Sequence, residues 1–281
     1  IPTLHLIMIV ACTPTKNRRW SWEFSKACML MQKQSPDKWL IVDNSSIPAY
    51  DWSVSKDYEL VDYHRVYEPL CIGALRNICI EKALAMGAEY IVFWDDDDYY
   101  PPERISAGIE ALQQNPDADI TASSHMYVLL TKENVLMEVG PFQPKHGTAA
   151  TYTIRRRYVE IHRFPNKGRG EEYEFTNGWT ANLIQVPAEK TIVVMGHSRN
   201  TVNKSDIYKT PQVFMAKVIT SVNGKMAAHV RWPIPWDLFR STFVDGEYAQ
   251  LRESTPLGLD YSAVRLNPHT EEIGVSGEHH A

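Results

Sequence analysis

Residues 90–102 read YIVFWDDDDYYPP. The apolar and β-branched residues from Tyr90 to Trp94 predict a buried β-strand. Four consecutive carboxylates, Asp95 to Asp98, end that strand, and the two prolines that follow open a predicted helix. The stretch therefore predicts a core strand whose carboxyl end carries a concentrated negative charge.

These four carboxylates repel one another. At about 5 Å and an effective dielectric near 20, each neighbouring pair costs roughly 3 kcal/mol when both groups are charged. A divalent metal ion is the simplest source of compensating charge, because carboxylate oxygens are ligands that such cations prefer. A solvated acidic turn is the alternative, and the run by itself does not decide between the two.

The composition is that of an ordinary globular protein. The chain has 281 residues, of which 44% are hydrophobic and 22% charged, and its net charge is -5. This length supports one large domain or two small ones. The negative charge excludes a global basic field that would recruit nucleic acid or a membrane, although it leaves room for a local basic patch.

Neither a membrane span nor a disulfide framework is predicted. No apolar run approaches the length of about 18 residues that a membrane-spanning helix needs. The cysteines lack CxxC spacing and lie in apolar or helical contexts, which predicts free thiols in a reducing compartment and hence a cytoplasmic protein. They are Cys12, Cys28, Cys71 and Cys79.

Strand and helix patterns alternate through the first part of the chain. Apolar residues at helical spacing predict helices, and short β-branched runs predict strands. Such alternation predicts an α/β sheet covered by helices on both faces. The predicted order is a strand at Leu4–Ala11, a helix at Trp20–Met31, strands at Trp39–Val42 and Tyr58–Tyr63, a helix at Gly73–Met86, the acidic strand, and a helix at Ile105–Leu112.

The second part of the chain is less regular. We expect residues 1–223 to form one domain. Residues 224–281 are expected to form a C-terminal extension that packs on the core through its tryptophans and has a partly irregular tail. Further strands are predicted at Ile120–Leu130, Tyr152–Arg157 and Thr191–Met195.

Polar side chains stand at three of the predicted strand ends. They lie at Thr13 to Asn17, at Asp43, and at Asp95 to Asp98. Open α/β sheets bind ligands at the carboxyl ends of their strands. The coincidence of three such ends favours a ligand site over a solvated acidic turn.

Six short motifs then follow one another in the order of a known family. From the first strand to about Val202, the chain resembles the GT-A glycosyltransferases, in particular the large inverting family 2. Each motif alone is common, but all six in this order are hard to obtain by chance. They are Pro14-Thr-Lys-Asn17, Asp43-Asn-Ser-Ser46, Gly73-Ala-Leu-Arg-Asn77, Asp95-Asp-Asp-Asp98, Glu171-Glu172 and His197.

The resemblance implies a fold, a reaction and a set of site residues. The fold is a Rossmann-like mixed sheet flanked by helices. The reaction moves a sugar from a nucleotide sugar, with UDP favoured, to a hydroxyl acceptor with inversion. Asp97 and His197 are expected to bind Mn²⁺ or Mg²⁺, which suit such a shell better than Zn²⁺ does. Glu172 is the expected catalytic base, with Glu171 as its alternative. The nucleotide sugar is expected to contact Thr13, Pro14, Asn17, Asp43, Arg76, Asp95 and Asp96.

Plainer alternatives exist for these assignments. Glu171 and Glu172 also suit the first turn of an ordinary helix, where negative charge is favourable. Asp43 also suits the cap of a turn, and His197 an ordinary hydrogen-bonded histidine. A non-catalytic nucleotide- or sugar-binding protein of the same fold, or a nucleotidyltransferase, remains an alternative to the transferase.

One basic stretch of the sequence indicates what kind of acceptor the protein could bind. Residues 145–169 contain seven basic residues and one acidic residue, a net charge of +6. Arg155, Arg156 and Arg157 form its centre. Such a patch predicts a phosphate-bearing acceptor, an anionic glycan or a nucleic acid, including a modified base. A solvated strand edge is the alternative, and the sequence leaves the donor sugar and the oligomeric state open.

Overall fold

The computed structural model describes residues 7–49, 59–131, 135–200, 204–209 and 216–219. Its strands are Ile9–Thr15 (β1), Lys38–Asp43 (β2), Val61–Arg65 (β3), Tyr90–Phe93 (β4), Ile120–Ala122 (β5), Met126–Leu130 (β6), Val135–Val139 (β7), Thr153–Arg155 (β8), Leu183–Gln185 (β9), Val193–Gly196 (β10) and Ala216–Ile219 (β11). Its α-helices are Trp22–Leu30 (α1), Ile72–Ala85 (α2), Arg104–Gln114 (α3), Arg156–Val159 (α4), Glu171–Phe175 (α5) and Ser205–Lys209 (α6).

The main sheet has seven strands in the order β3-β2-β1-β4-β8-β5-β9. The first four strands are parallel. Strand β8 runs antiparallel to both of its neighbours, β4 and β5, and β9 is parallel to β5. The prediction of a mixed α/β sheet is therefore confirmed. Because β5 and β9 run in the same direction as β4, their carboxyl ends lie at the same edge of the sheet as the acidic turn.

Both faces of this sheet are covered. Successive residues of a strand point to opposite faces, and in β1 Ala11 packs on one side while Val10 and Cys12 pack on the other. Helices α1 and α3 contribute apolar side chains to the first side, and α2 to the second. Parallel strands buried on both faces read as continuous apolar runs, which is why the sequence indicated them.

The second sheet was not foreseen. It has four strands in the order β10-β6-β7-β11. The prediction of one strand over Ile120–Leu130 is wrong, because the chain turns between β5 and β6. At that turn the Ser123 hydroxyl donates to the backbone oxygen of His125, and the backbone nitrogen of His125 lies 3.3 Å from the same hydroxyl oxygen, Oγ of Ser123. A serine side chain that bonds nearby backbone competes with strand pairing in this way.

Another strand is shorter than predicted. The strand expected over Tyr152–Arg157 ends at Arg155, and the short helix α4 begins at Arg156. The predicted extension over residues 224–281 and the domain boundary at 223 lie outside the described residues. All four cysteines are free thiols. Among the described residues we find no helix with both the length and the apolar character needed to span a bilayer.

Gly73, in the first turn of α2, allows a close approach between α2 and the segment before α5. A Cβ atom at Gly73 would lie 2.0 Å from the backbone oxygen of Pro165. Asn77, one turn further along, holds the same segment with two hydrogen bonds of 2.9 Å, to the oxygen and from the N–H of Phe164. The start of α2 therefore fixes the segment that leads into α5.

Replacement of Gly73 by alanine is expected to destabilise the protein. Alanine favours helices by about 1 kcal/mol over glycine, but overpacking against backbone that cannot move costs roughly 1–3 kcal/mol. We expect a net loss in the free energy of unfolding, measured by urea denaturation. Gly168→Ala is the matched control, because its Cβ would meet nothing within 4 Å. A Gly73→Ala protein as stable as the wild type would contradict this account.

Candidate active site

Hydrogen bonds at both ends of the acidic turn hold it in place after β4. The N–H of Asp95 donates to the Tyr100 hydroxyl at 2.7 Å, and Tyr100 stacks on Trp94 with ring centroids 4.0 Å apart. Asp98 accepts a hydrogen bond of 2.8 Å from the N–H of Met195 in β10. The turn is therefore held between the main sheet and β10.

Protonation relieves part of the repulsion in this turn. Burial, followed by the negative charge of Asp97, raises the pKa of Asp96 to about 8. The Asp96 carboxyl also accepts a hydrogen bond from the hydroxyl of Thr15, at the end of β1. Burial and the charge of Asp97 likewise raise the pKa of Asp98 well above its ordinary value. The turn therefore carries less negative charge at neutral pH than four ionised carboxylates would.

Asp97 lies between a histidine and an arginine. Its Oδ2 atom lies 3.0 Å from Nε2 of His197, at the end of β10, and also contacts the Arg18 guanidinium. Burial opposes the ionisation of Asp97, but the hydrogen bond with His197 and the charge of Arg18 outweigh it and lower its pKa to about 2. The Arg199 N–H donates to Nδ1 of His197 at 3.2 Å and orients the ring. The structure thus brings together Asp97 and His197, 100 residues apart in the chain.

Arg76 connects the acidic turn to helix α5. Its Nη2 atom lies 3.2 Å from Asp95 Oδ1, and its Nε atom lies 3.4 Å from Glu171 Oε1. The guanidinium is buried and stacks over the Phe93 ring at 5.0 Å. Its Nη1 atom is enclosed and has no hydrogen-bond partner within the part of the chain that the structure describes. A buried donor of this kind suits an anionic ligand.

The two glutamates of α5 have different surroundings. Glu171 is 4% exposed, and burial together with the charge of Glu172 raises its pKa despite the neighbouring Arg76. Glu172 is only partly buried, and its Oε1 atom accepts a hydrogen bond of 3.3 Å from the N–H of Ala149. Gly170 precedes them with φ of 64°, a left-handed conformation that glycine adopts readily. Glu172 is therefore the more accessible carboxylate of the pair.

Asp43 is fully enclosed at the end of β2. Its Oδ1 atom accepts a hydrogen bond from the Ser45 N–H, and its Oδ2 atom accepts one from the Ala49 N–H, both at 2.8 Å. The Tyr63 hydroxyl also donates to Oδ2, and Arg65 lies 3.9 Å away. Asp43 thus caps the turn that follows β2, which agrees with the structural alternative to nucleobase binding. Its contact with a nucleobase stays a prediction.

The residues after β1 connect neighbouring loops. Asn17 has φ of 57°, and its Oδ1 atom accepts a hydrogen bond of 3.1 Å from the Ser46 N–H. The Thr13 hydroxyl accepts one of 2.8 Å from the Trp39 indole. Pro14 lies within β1 beside β2. Their expected contacts with the nucleotide sugar stay predictions, but all three lie at or near the strand ends that border the acidic turn.

The arginine run is not part of this site. Arg155 pairs with Tyr90, at the opposite end of β4 from the acidic turn. Its guanidinium donates to the backbone oxygens of Ala118 and Leu112 at 3.0 and 2.7 Å. The other two arginines bind acidic partners, Arg156 with Glu160 at 2.8 Å and Arg157 with Asp119 at 2.7 Å. These bonds support the strand-edge alternative, and we assign the run no acceptor role.

Sequence reasoning missed two contacts of the acidic turn. Arg18 and Thr15 both belong to the segment at the end of β1, and they contact Asp97 and Asp96. The sequence contained a signal for the first of these contacts. The cationic Arg18 follows the end of one predicted strand, and Asp95 to Asp98 follow the end of another. Only the strand order β1-β4 identifies these as facing ends.

Comparisons with known proteins show the family and the fold of the chain. A model described as Glycosyl transferase family 2 matches residues 11–170. Structurally, the chain is similar to a fragment of S. aureus TarS in complex with UDP-GlcNAc, with a TM-score of 0.54 and 15% identity over 74% of this chain and 65% of that one. It is also similar to the mannosyltransferase PcManGT from Pyrobaculum calidifontis in complex with GDP-Man and Mn²⁺, with a TM-score of 0.52 and 13% identity over 68% of this chain and 58% of that one. The chain thus spans less than two thirds of either structure. No curated protein matches it by sequence.

Proposed function

The chain belongs to glycosyl transferase family 2, and we propose that it transfers a sugar from a nucleotide sugar, with UDP favoured as the nucleotide, to a hydroxyl group of an acceptor with inversion at the anomeric carbon. The observation that carries this proposal is the bridge made by Arg76, 3.2 Å from Asp95 and 3.4 Å from Glu171. It joins the acidic turn, where the donor and the metal ion are proposed to bind, to the helix that bears the candidate base. The donor and the base would therefore lie in one site.

Asp97 and His197 fit a divalent metal ion. One carboxylate oxygen and one imidazole nitrogen, 3.0 Å apart, form a donor set that suits Mn²⁺ or Mg²⁺. Within the described ranges no three His, Cys, Asp or Glu residues are grouped so as to hold a metal by themselves. The donor's phosphates would supply further ligands to an ion at this site. A bound ion would neutralise the charge that develops on the departing diphosphate. The Mn²⁺ in the PcManGT complex supports this choice.

Glu172 is the proposed base. As the acceptor oxygen attacks the anomeric carbon, its proton passes to the Glu172 carboxylate. The new carbon–oxygen bond forms while the bond to the diphosphate breaks, and the electron pair of that bond leaves with the nucleoside diphosphate. A single displacement inverts the anomeric configuration. Glu171 suits this role less well, because it is enclosed and paired with Arg76.

A screen of donors tests this function. The protein is incubated with Mn²⁺ and each of a set of UDP-, GDP- and dTDP-sugars, and release of the nucleoside diphosphate is measured with and without EDTA. We expect metal-dependent release from at least one nucleotide sugar, with UDP-sugars favoured. Failure to turn over or bind any nucleotide sugar would overturn the proposal.

Arg18 is expected to compete with the metal ion. Its guanidinium contacts the same Asp97 oxygen that faces His197, and a positive charge at contact distance opposes a second cation. We therefore expect Arg18→Gln to tighten the binding of Mn²⁺ alone by about tenfold or more, measured by titration of free Mn²⁺ by electron paramagnetic resonance. The exposed neighbour Arg19 offers the control Arg19→Gln. Unchanged or weaker Mn²⁺ binding in Arg18→Gln would show that Arg18 does not compete for this site.

A further inference from the structure

A cluster of aromatic side chains adjoins Glu172. The His146 ring lies 4.5 Å from the Trp179 ring and 4.9 Å from that of Phe142, between centroids. Tyr173, the residue after Glu172, lies 5.9 Å from Trp179 and is 55% exposed. The same loop as His146 supplies the Ala149 N–H that binds Glu172. The cluster is therefore continuous with the candidate base.

The cluster lies beyond Glu172 from the acidic turn. The acidic turn follows β4, whereas the loop that contains His146 packs on the end of β5, where a Cβ at Gly147 would lie 2.4 Å from that of Ala122. Strand β8 separates β4 from β5. Along this edge of the sheet, the proposed metal ligands come first and the aromatic cluster follows. An acceptor that delivers its proton to Glu172 must approach from a side that the donor does not occupy.

The loop and the turn that form the cluster are both held in place. The Gln185 side chain, at the end of β9, donates to the backbone oxygens of Pro144 and His146, each at 2.8 Å. Trp179 ends a run of three left-handed residues, with φ of 51° at Asn177, 71° at Gly178 and 63° at Trp179. This conformation is unfavourable for residues with bulky side chains and persists only where the surrounding structure fixes it.

We propose that Tyr173, Trp179 and His146 bind a pyranose ring of a neutral glycan acceptor and present one of its hydroxyl groups to Glu172. The inference rests on the proposed transferase function and names the acceptor class of that same site. Aromatic faces pack against the apolar C–H face of a sugar ring, and burial lowers the pKa of His146, which favours the neutral imidazole. In the transfer, the hydroxyl oxygen forms the new bond to the donor's anomeric carbon and its proton passes to Glu172.

The charges near the cluster favour a neutral glycan over a polyanion. Glu172 borders the cluster, and Glu171 and Asp95 lie behind it around Arg76. The adjacent Lys145 ammonium is bound to the Leu183 backbone oxygen at 3.0 Å. Of the arginines expected to bind an anionic acceptor, Arg155 lies at the opposite end of β4. Arg157 lines a cavity with Asn177 and Thr180, on either side of Trp179, but its guanidinium is bound to Asp119 at 2.7 Å. A phosphate-rich chain would therefore meet carboxylates beside the cluster.

Binding to an array tests the inference. The array carries neutral oligosaccharides, anionic oligosaccharides, and single- and double-stranded DNA. We expect the wild type to bind neutral oligosaccharides. Trp179→Ala should weaken that binding about tenfold, whereas Trp179→Tyr, which keeps a stacking face, should stay within roughly threefold of the wild type. Leu30→Ala is the control, because Leu30 is an exposed apolar residue at the end of helix α1, which contributes no residue to the cluster.

Several outcomes would overturn the inference. These are binding to DNA or anionic glycans alone, no binding to any neutral glycan, or binding that Trp179→Ala leaves unchanged. Nucleotide-sugar binding is measured on the same variants, and an equal loss there in Trp179→Ala would mean that Trp179 serves the fold or the donor site. A wild type that binds nucleotide sugars but no neutral glycan refutes this inference alone, whereas one that binds no nucleotide sugar refutes the proposed function.

Discussion

Replacement of Asp97 by asparagine is expected to lower the rate of nucleotide-sugar turnover by about a thousandfold. Asparagine keeps the shape of the side chain but removes the negative oxygen that faces His197 at 3.0 Å. Stabilisation of a leaving group by a metal ion supplies several kcal/mol, and each 1.4 kcal/mol is about tenfold in rate. The measurement is nucleoside diphosphate release at saturating Mn²⁺, with the donor that the wild type uses.

The fold should survive this change. The change removes the ion pair with Arg18, but it also relieves the repulsion that raises the pKa values of Asp96 and Asp98. Because these two effects oppose each other, thermal unfolding should stay close to that of the wild type. Asp117→Asn is the control, because Asp117 is exposed and lies just before β5. It is therefore at the edge of the sheet opposite the acidic turn. An Asp97→Asn protein that turns over the donor within about tenfold of the wild-type rate would remove Asp97 from the proposed metal site.

Replacement of Glu172 by glutamine is expected to lower kcat by about a hundredfold to ten-thousandfold, the range that a positioned general base contributes. The amide keeps the hydrogen bond that Glu172 accepts from Ala149 but cannot take up the acceptor's proton. We expect the KM for the nucleotide sugar to change little, because Glu172 acts on the acceptor. Steady-state kinetics with the acceptor present measure both constants.

Two further variants make this result specific. Glu174→Gln is the control, because Glu174 lies in the same helix but is exposed and paired with Lys167. Glu171→Gln tests the alternative base. A severe loss of kcat in Glu171→Gln with normal turnover in Glu172→Gln would assign the proton transfer to Glu171. Normal biological activity in both variants would favour a non-catalytic sugar- or nucleotide-binding protein.

The features that sequence predicted well depend on simple local rules. Apolar runs buried on both faces indicated the parallel strands, and the rule that ligands collect at their carboxyl ends directed attention to Asp43 and Asp95–Asp98. The proximity of His197 to Asp97 followed from the family's motif order rather than from any local pattern. The helix start at Gly73 was indicated by its motif, although its cause, the 2.0 Å approach to Pro165, needs the tertiary structure.

Other features depend on contacts that no local pattern encodes. The pairing of Arg18 with Asp97 requires the order of β1 and β4 in the sheet. The basic stretch looked like a patch because its charges are close in sequence. However, Arg155 and Arg157 donate hydrogen bonds to backbone oxygens near the end of β4 that lies away from the acidic turn. The second sheet was missed because the turn at Ser123–His125 interrupts an otherwise strand-like run.

The most direct test of the account is an anomalous difference map from crystals grown with Mn²⁺ and a nucleoside diphosphate. We expect one strong manganese peak within bonding distance of an Asp97 carboxylate oxygen and His197 Nε2, with the diphosphate bound to the same ion and Arg18 no longer in contact with Asp97. A nucleotide bound elsewhere, or a manganese ion held without Asp97 and His197, would contradict it.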